Sequence, residues 1–260
     1  MKLYNIHFSP TGGTRKVATI LTNALAEQGF GTEPIREIDL TDRKINFEEI
    51  ALTQDDLAIL AIPSYNGRVP GPAVQRLAAI KGNGAKTILV CVYGNRAFED
   101  TLVELEDTAK GAGFSPVAAV AAIAEHSIAR RYAAGRPDDQ DRTQLIAFAT
   151  QIAQKLSSDT IAEPLIPGNR PYKTAGASSG IVPKPTKACV QCGLCAIQCP
   201  VGAIDPTDVR KVDKQRCISC MRCVRICPHE ARKVNRVMLC AVNAFLKKVC
   251  SVRKDNELFL

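Results

Sequence analysis

Eight of the eleven cysteines fall into two copies of one pattern. Cys189, Cys192, Cys195 and Cys199 precede Pro200, and Cys217, Cys220, Cys223 and Cys227 precede Pro228. Both runs read C-x-x-C-x-x-C-x-x-x-C-P. Three thiolates at this spacing wrap one iron–sulfur cube, and the fourth of each run reaches the other cube. The spacing therefore assigns Cys189, Cys192, Cys195 and Cys227 to one [4Fe–4S] cluster, and Cys217, Cys220, Cys223 and Cys199 to a second. Zinc sites are also built from C-x-x-C pairs. Zinc, however, needs neither a third cysteine at the same interval nor a Cys-Pro after it, twice over. Cys91 lies in an apolar run and reads as a small core residue, while Cys240 and Cys250 belong to the tail.

A second group of candidate residues lies far upstream. Ser9-Pro10-Thr11-Gly12-Gly13-Thr14 joins an apolar run to a helical pattern. Its hydroxyls at Ser9, Thr11 and Thr14, with free amides at a helix N-terminus, suit a phosphate, and its glycines let the backbone approach closely. The G-x-x-x-x-G-K-[ST] pattern is absent, so a phosphomonoester fits better than a nucleoside triphosphate with magnesium. Pro63-Ser64-Tyr65-Asn66-Gly67-Arg68 and Tyr93-Gly94-Asn95-Arg96 follow two further apolar runs. Tyr65 and Tyr93 offer flat faces for a ring system. Glu125-His126-Ser127 follows a fifth run, where His126 reads equally as a ligand contact or as a structural residue.

The elements that must position these loops alternate strand and helix. Residues 2–8, 32–39, 57–62, 87–92 and 116–123 read as strands. The third and fourth are continuous apolar runs, as for strands buried on both faces. Helical spacing appears over 13–28, near 71–80, near 98–112, and from an Asp138 cap to about Leu156. This is a parallel sheet covered on both faces, and ligands bind such sheets beyond the carboxyl ends of the strands.

Charge and composition divide the chain in two. Through residue 157 there are 17 Lys+Arg and 18 Asp+Glu; beyond it there are 17 and 8. The join, 158–185, is rich in proline and glycine and includes the small-residue stretch 175–179. The organisation expected is 1–157, an α/β domain; 158–185, a linker or wrapping connection; 186–232, the cysteine-rich domain; and 233–260, a helical tail. In the tail, Val234, Val237, Met238, Ala241, Phe245 and Val249 recur at helical spacing. That helix is expected to dock back on the protein, with a partner or membrane surface as the alternative. No apolar run is long enough to span a bilayer. Met1–Ser9 runs into a strand and not a signal peptide, so a cytoplasmic, reducing location is expected. No recognition motif accompanies the net charge of +8, so nucleic-acid binding is not expected.

The loop Ser9–Thr14 is similar to the S-x-T-G-x-T loop by which flavodoxins grip the phosphate of FMN, and the resemblance covers about residues 2–157. It implies a flavodoxin-like, doubly wound five-stranded parallel sheet in the order 2-1-3-4-5. It also implies an FMN site at Ser9, Thr11, Gly12, Gly13, Thr14, Pro63, Ser64, Tyr65, Asn66, Gly67, Tyr93, Gly94, Asn95 and Arg96, with Tyr65 or Tyr93 flanking the ring. Arg68 and Arg96 stand where flavodoxins often carry acids, so a higher flavin potential is expected. Residues 184–232 resemble a bacterial-type two-cluster ferredoxin, a small α+β domain. The whole chain resembles flavodoxin–ferredoxin fusion proteins. The resemblance implies electron transfer between FMN, two [4Fe–4S] clusters and a redox partner protein. Clusters of this kind are sensitive to oxygen, so an anaerobic host is expected. The alternatives are an FMN-dependent reductase of a small molecule, and a ferredoxin carrying a flavin-free docking domain. Two oxidised clusters with their thiolates carry about −4 and a phosphate about −2, which brings the formal +8 to roughly +2.

Overall fold

The computed structural model describes residues 1–174 and 180–260; the stretch 175–179, read above as part of the linker, lies outside the described residues. The first half runs β1 (Leu3–His7), α1 (Gly13–Glu27), β2 (Arg36–Asp39), β3 (Leu57–Pro63), α2 (Gly71–Ala78), β4 (Lys86–Tyr93), α3 (Thr101–Gly111), β5 (Ser115–Ile123) and α4 (Asp139–Leu156). Side chains alternate across a strand, so each apolar run feeds two cores. Along β3, Ala58, Leu60 and Ile62 enter the core beneath α2 and α3, whereas Leu57, Ile59 and Ala61 enter the core beneath α1 and α4. A strand buried on both faces has to be apolar throughout, which is why β3 reads LAILAIP. The order β2-β1-β3-β4-β5, all parallel, puts the switch point between β1 and β3. The loops after β1, β3 and β4 therefore meet at one end of the sheet.

The connection is strapped along α3. Asp100 accepts from Asn169 N–H and Nδ2 at 2.9 Å each and from Lys173 N–H at 2.7 Å. Arg170 pairs with Glu106 and Asp107 at 2.7 Å. Tyr172 stacks under the Arg68 guanidinium, 4.9 Å from ring centre to Cζ. The cysteine-rich part follows, with β6 (Lys184–Pro185), two one-turn helices α5 (Leu194–Ile197) and α6 (Arg222–Arg225), and β7 (Arg232–Lys233) paired antiparallel to β6. Its core is small: Ala196, Cys199, Ala203, Ile204 and Val209, with the other packing supplied largely by cysteines.

The tail departs from the all-helical expectation. After α7 (Arg236–Cys250), capped by Asn235, the chain turns and adds β8 (Glu257–Phe259) antiparallel to β5. The five-strand parallel order stands, and a sixth strand extends it. The physical reason is the outer edge of β5, whose N–H and C=O groups need partners. Asn256 Oδ1 accepts from Ile123 N–H at 2.9 Å and leads the strand in. Behind it lies a buried pair. Arg136 Nε donates to Asp141 at 2.8 Å, a second Arg136 nitrogen donates to the same carboxylate, and Nη1 donates to Lys254 O at 2.8 Å. Asp141 also closes a capping box with Asp138 at the start of α4, and Arg253 pairs with Asp138 at 2.6 Å. Among the described residues, no helix is long and apolar enough to cross a membrane.

Removing one member of the buried pair leaves the other charged and unpartnered. Asp141→Ala is expected to cost about 3–5 kcal/mol, read as a lowered urea midpoint. A second expectation concerns pH. Hydrogen bonding from Arg253 holds the Asp138 carboxyl well below its ordinary 3.8, and the Lys173 amide lowers Asp100. Groups depressed in the folded state stabilise it above their unfolded values and lose that contribution as pH falls through the folded values. Tm should therefore fall on acidification below about pH 4. Asp138→Asn keeps a good cap while removing the charge, so it should flatten that fall, and an unchanged acid slope would contradict the assignment.

Candidate functional site

At the end of β1 the chain turns into α1 through Gly12, whose φ of 96° is a left-handed value natural to glycine. Gly13 packs so closely that a Cβ there would stand 2.9 Å from that of Ala124. No acidic residue occupies the first turn of α1 and its N-cap, Gly12, has no side chain, so the Gly13 and Thr14 amides remain available to an anion. Thr11, Gly13 and Thr14 line a cleft shared with Pro63, Ser64, Tyr65, Tyr93 and Gly94. Ser9 lies behind it, buried, its hydroxyl accepting from Arg15 N–H at 2.9 Å.

Ser64, Tyr65, Tyr93 and Gly94 also line a second cavity, of about 430 Å³. Asn66-Gly67 forms the tip of a tight turn, closed by reciprocal hydrogen bonds between Tyr65 and Arg68 at 3.0 and 3.1 Å. Both residues have positive φ and both line the cavity. Across it lie Ile218 and Ser219, the two residues between Cys217 and Cys220, together with Val242, Phe245 and Leu246 of α7. Tyr65 is half-buried, and burial, and next the Cys220 sulfur, push its phenol well above its ordinary value.

Three sequence expectations change here. Asn95 is turned away from the cavity: its Nδ2 donates to Cys250 O at 2.9 Å and Val252 O at 2.8 Å, so it clamps the tail. Arg68 is bound to Glu104 at 2.7 Å, and Arg96, which lines the cavity, is paired with Glu99 at 2.8 Å. Carboxylates thus accompany both arginines, which removes the charge argument for a raised flavin potential. His126 emerges as a cavity residue: its Nδ1 accepts from the Ile128 and Ala129 amides at 3.2 and 3.1 Å, and burial lowers its pKa. The ring is then neutral with its proton on Nε2. Only its position after β5 could have signalled this.

In the second half the two cysteine runs fold alike. Gln191 and Ser219 have φ of 56° and 53°, and Gly193 and Met221, each opening a one-turn helix, have 76° and 62°. Ala203 and Ala231 donate to Cys199 and Cys227 Sγ, each at 3.3 Å. Cys189, Cys192, Cys195 and Cys227 line one small cavity, and Cys199, Cys217, Cys220 and Cys223 line another. Three come from one run and one from the other in each case. All eight are free of disulfides. Burial pushes the Cys220 and Cys223 thiols up to about 12, so thiolates there require compensating positive charge, which iron would supply. These residues fit two four-thiolate clusters.

Residues 188–233 match the family model described as 4Fe-4S dicluster domain. The chain joins a flavodoxin-like fold to a ferredoxin-type 4Fe–4S domain. A stretch of 44 residues is 41% identical to a subunit of the ion-translocating oxidoreductase complex of Methanosarcina acetivorans, covering 16% of this chain and 17% of that protein. The chain thus spans less than a fifth of the curated relative it matches. Among solved structures, oxidised flavodoxin 1 from Bacillus cereus is 20% identical over 60% of this chain and all of its own, with a TM-score of 0.44. The flavodoxin of Streptococcus pneumoniae TIGR4 is 20% identical over 60% of this chain and 99% of its own, TM-score 0.41. Rubredoxin oxygen:oxidoreductase from Desulfovibrio gigas is 18% identical over 60% of this chain and 36% of its own, TM-score 0.43. For the first half, the fold assignment rests on the strand order itself.

The crossed cavities make a specific prediction. Cys199→Ser should disturb the site lined by Cys217, Cys220 and Cys223, and spare the one lined by its own run. Iron per chain should fall by about half, and Cys227→Ser should give the complementary loss. The electron paramagnetic resonance signal that survives in reduced Cys199→Ser should match that of Cys217→Ser and differ from that of Cys189→Ser; the reverse match would contradict the crossing.

Proposed function

We propose that this protein passes electrons between an FMN held by the first domain, two [4Fe–4S] clusters held by the second, and an external redox partner protein. The observation that carries the reading is the wall shared by two cavities. Ile218 and Ser219, set between cysteines of the second cysteine cavity, line the same space as Tyr65 and Tyr93. A bound flavin takes one or two electrons and each cluster one, so these groups would supply the redox chemistry.

The chain's own residues would bind, orient and shield. The amides of Gly13 and Thr14 and the Thr11 and Thr14 hydroxyls would hold the phosphate. Tyr65 and Tyr93 would flank the ring, and the Asn66-Gly67 turn would border it. Neutral His126 would offer an Nε2–H donor and no charge. Leu246 and Val242 of α7 would exclude water from the side facing the cysteines. The eight cysteines of the two runs would be the cluster ligands, in the crossed sets given above. In the other cysteine cavity Cys192 is exposed, and Val190 and, five residues on from Cys192, Ile197 are 61% and 58% exposed. This exposed apolar face would be the docking side for a partner protein. Covalent linkage would keep the two domains together without diffusion.

Anaerobic reconstitution with iron, sulfide and excess FMN, followed by quantification, tests this. About eight iron and one FMN per chain are expected. Iron without a flavin band would overturn the flavin half of the reading and favour a ferredoxin with a docking domain. Both cofactors, with sustained turnover of a small-molecule acceptor in the absence of any partner protein, would favour a reductase instead.

A further inference from the structure

Superposing the two cysteine runs by sequence aligns Cys199-Pro200-Val201-Gly202-Ala203-Ile204 with Cys227-Pro228-His229-Glu230-Ala231-Arg232. The duplication is preserved at every cysteine, both prolines and both alanines that donate to a sulfur. It differs at Val201/His229, at Gly202/Glu230 and at its last position. Ile204 is an apolar core residue at 5% exposure, and its counterpart Arg232 is a guanidinium at 3% exposure.

A buried arginine ordinarily has a carboxylate against it, because an unpaired charge out of water costs several kcal/mol. Arg232 has none among the described residues. Its Nη1 donates to Val209 O at 2.9 Å and to Cys195 Sγ at 3.4 Å. Its Nε and Nη2 are shut off from solvent and have no hydrogen-bond partner in the protein. Arg232 also holds a singular place: of the described residues that line the two cysteine cavities, it is the one common to both. A residue that merely filled space there would be apolar, as Ile204 is.

We propose that Arg232 is a positioning residue for both clusters, a shared internal counter-charge that favours their reduced forms and keeps the two potentials high together. The inference rests on the reading of the two cavities as [4Fe–4S] sites. Each reduction adds one electron, and so one negative charge, to a site that already carries a net negative charge with its four thiolates. A fixed positive charge bordering both sites stabilises the added charge in each. The two orphaned donors are then satisfied by cluster sulfur, which also answers how this side chain is tolerated in the core.

The test uses the full chain reconstituted anaerobically, with the two cluster midpoints followed by potentiometric titration and electron paramagnetic resonance. Arg232→Ile restores the residue of the first run, and Arg232→Gln keeps a donor without the charge. Both variants are expected to shift both midpoints to more negative values, and Arg232→Lys should recover most of the shift. Midpoints equal to wild type in either neutral variant, or a shift at one cluster alone, would overturn the proposal. If Arg232→Ile fails to retain iron, the titration of Arg232→Gln decides by the same criterion. If that variant too fails to retain iron while Arg232→Lys holds both clusters at wild-type potentials, the counter-charge is supported. If Arg232→Lys also fails to hold them, the role is one of shape and the proposal falls. Wild-type protein that binds fewer than two clusters would instead sink the underlying reading of the cavities, an outcome visible in the iron count before any potential is measured.

Discussion

A thiolate out of water is unfavourable unless positive charge stands beside it, and this protein gathers eight cysteines into a segment with hardly any core of its own. The rest of the second domain follows from that constraint. Its strands are two residues long and its helices within the cysteine runs a single turn. Such pieces cannot bury enough apolar surface to fold alone. Crossing the fourth cysteine of each run into the other's cavity ties the two halves of the duplication together, so each site depends on both. The left-handed residues at Gln191, Gly193, Ser219 and Met221 bend the backbone tightly around each cavity. Three of the four are not glycine, so the backbone there carries local strain.

The first domain stands on different physics. Two apolar cores on the faces of a parallel sheet hold it, and the loops that matter hang at one end. The second domain covers that end: Ile218 and Ser219 meet Tyr65 across a cavity, and α7 roofs it. Function would arise from this juxtaposition more than from either half. The connection is strapped to α3 through Asp100, Asp107 and Glu106 as far as Lys173.

Much of this was legible in the residues. The cysteine spacing named its own partners, because the chemistry of a cube constrains the ligand interval. Four of the five parallel strands showed as apolar runs, and the loop after β1 as glycines beside hydroxyls at a strand end. What escaped was set by distant partners. Glu257-Leu258-Phe259 is too short to show alternation, and it becomes a strand only because β5 has an open edge. Asn95 looked like a flavin contact by its position in the loop; its true partners lie some 155 residues away at Cys250 and Val252. Arg68 and Arg96 were visible as charges, but their pairing with Glu104 and Glu99 was not. Arg232 was a cysteine-domain cation like its neighbours until its burial was seen.

The sixth strand carries a kinetic consequence. Ala119 pairs with Phe259 roughly 140 residues further on, so this contact closes one of the longest loops in the chain. Everything between them, including both cysteine runs, lies inside that loop. During synthesis the first domain can form its five parallel strands early, but the flank of β5 stays bare until the whole second domain has been made. Over that interval the exposed edge is a template for pairing with another chain. Slow acquisition of iron would lengthen the interval if the second domain must be ordered before the tail can fold back. Supply of clusters would then govern the yield of monodisperse protein through the sheet of the other domain, which holds no cysteine ligand.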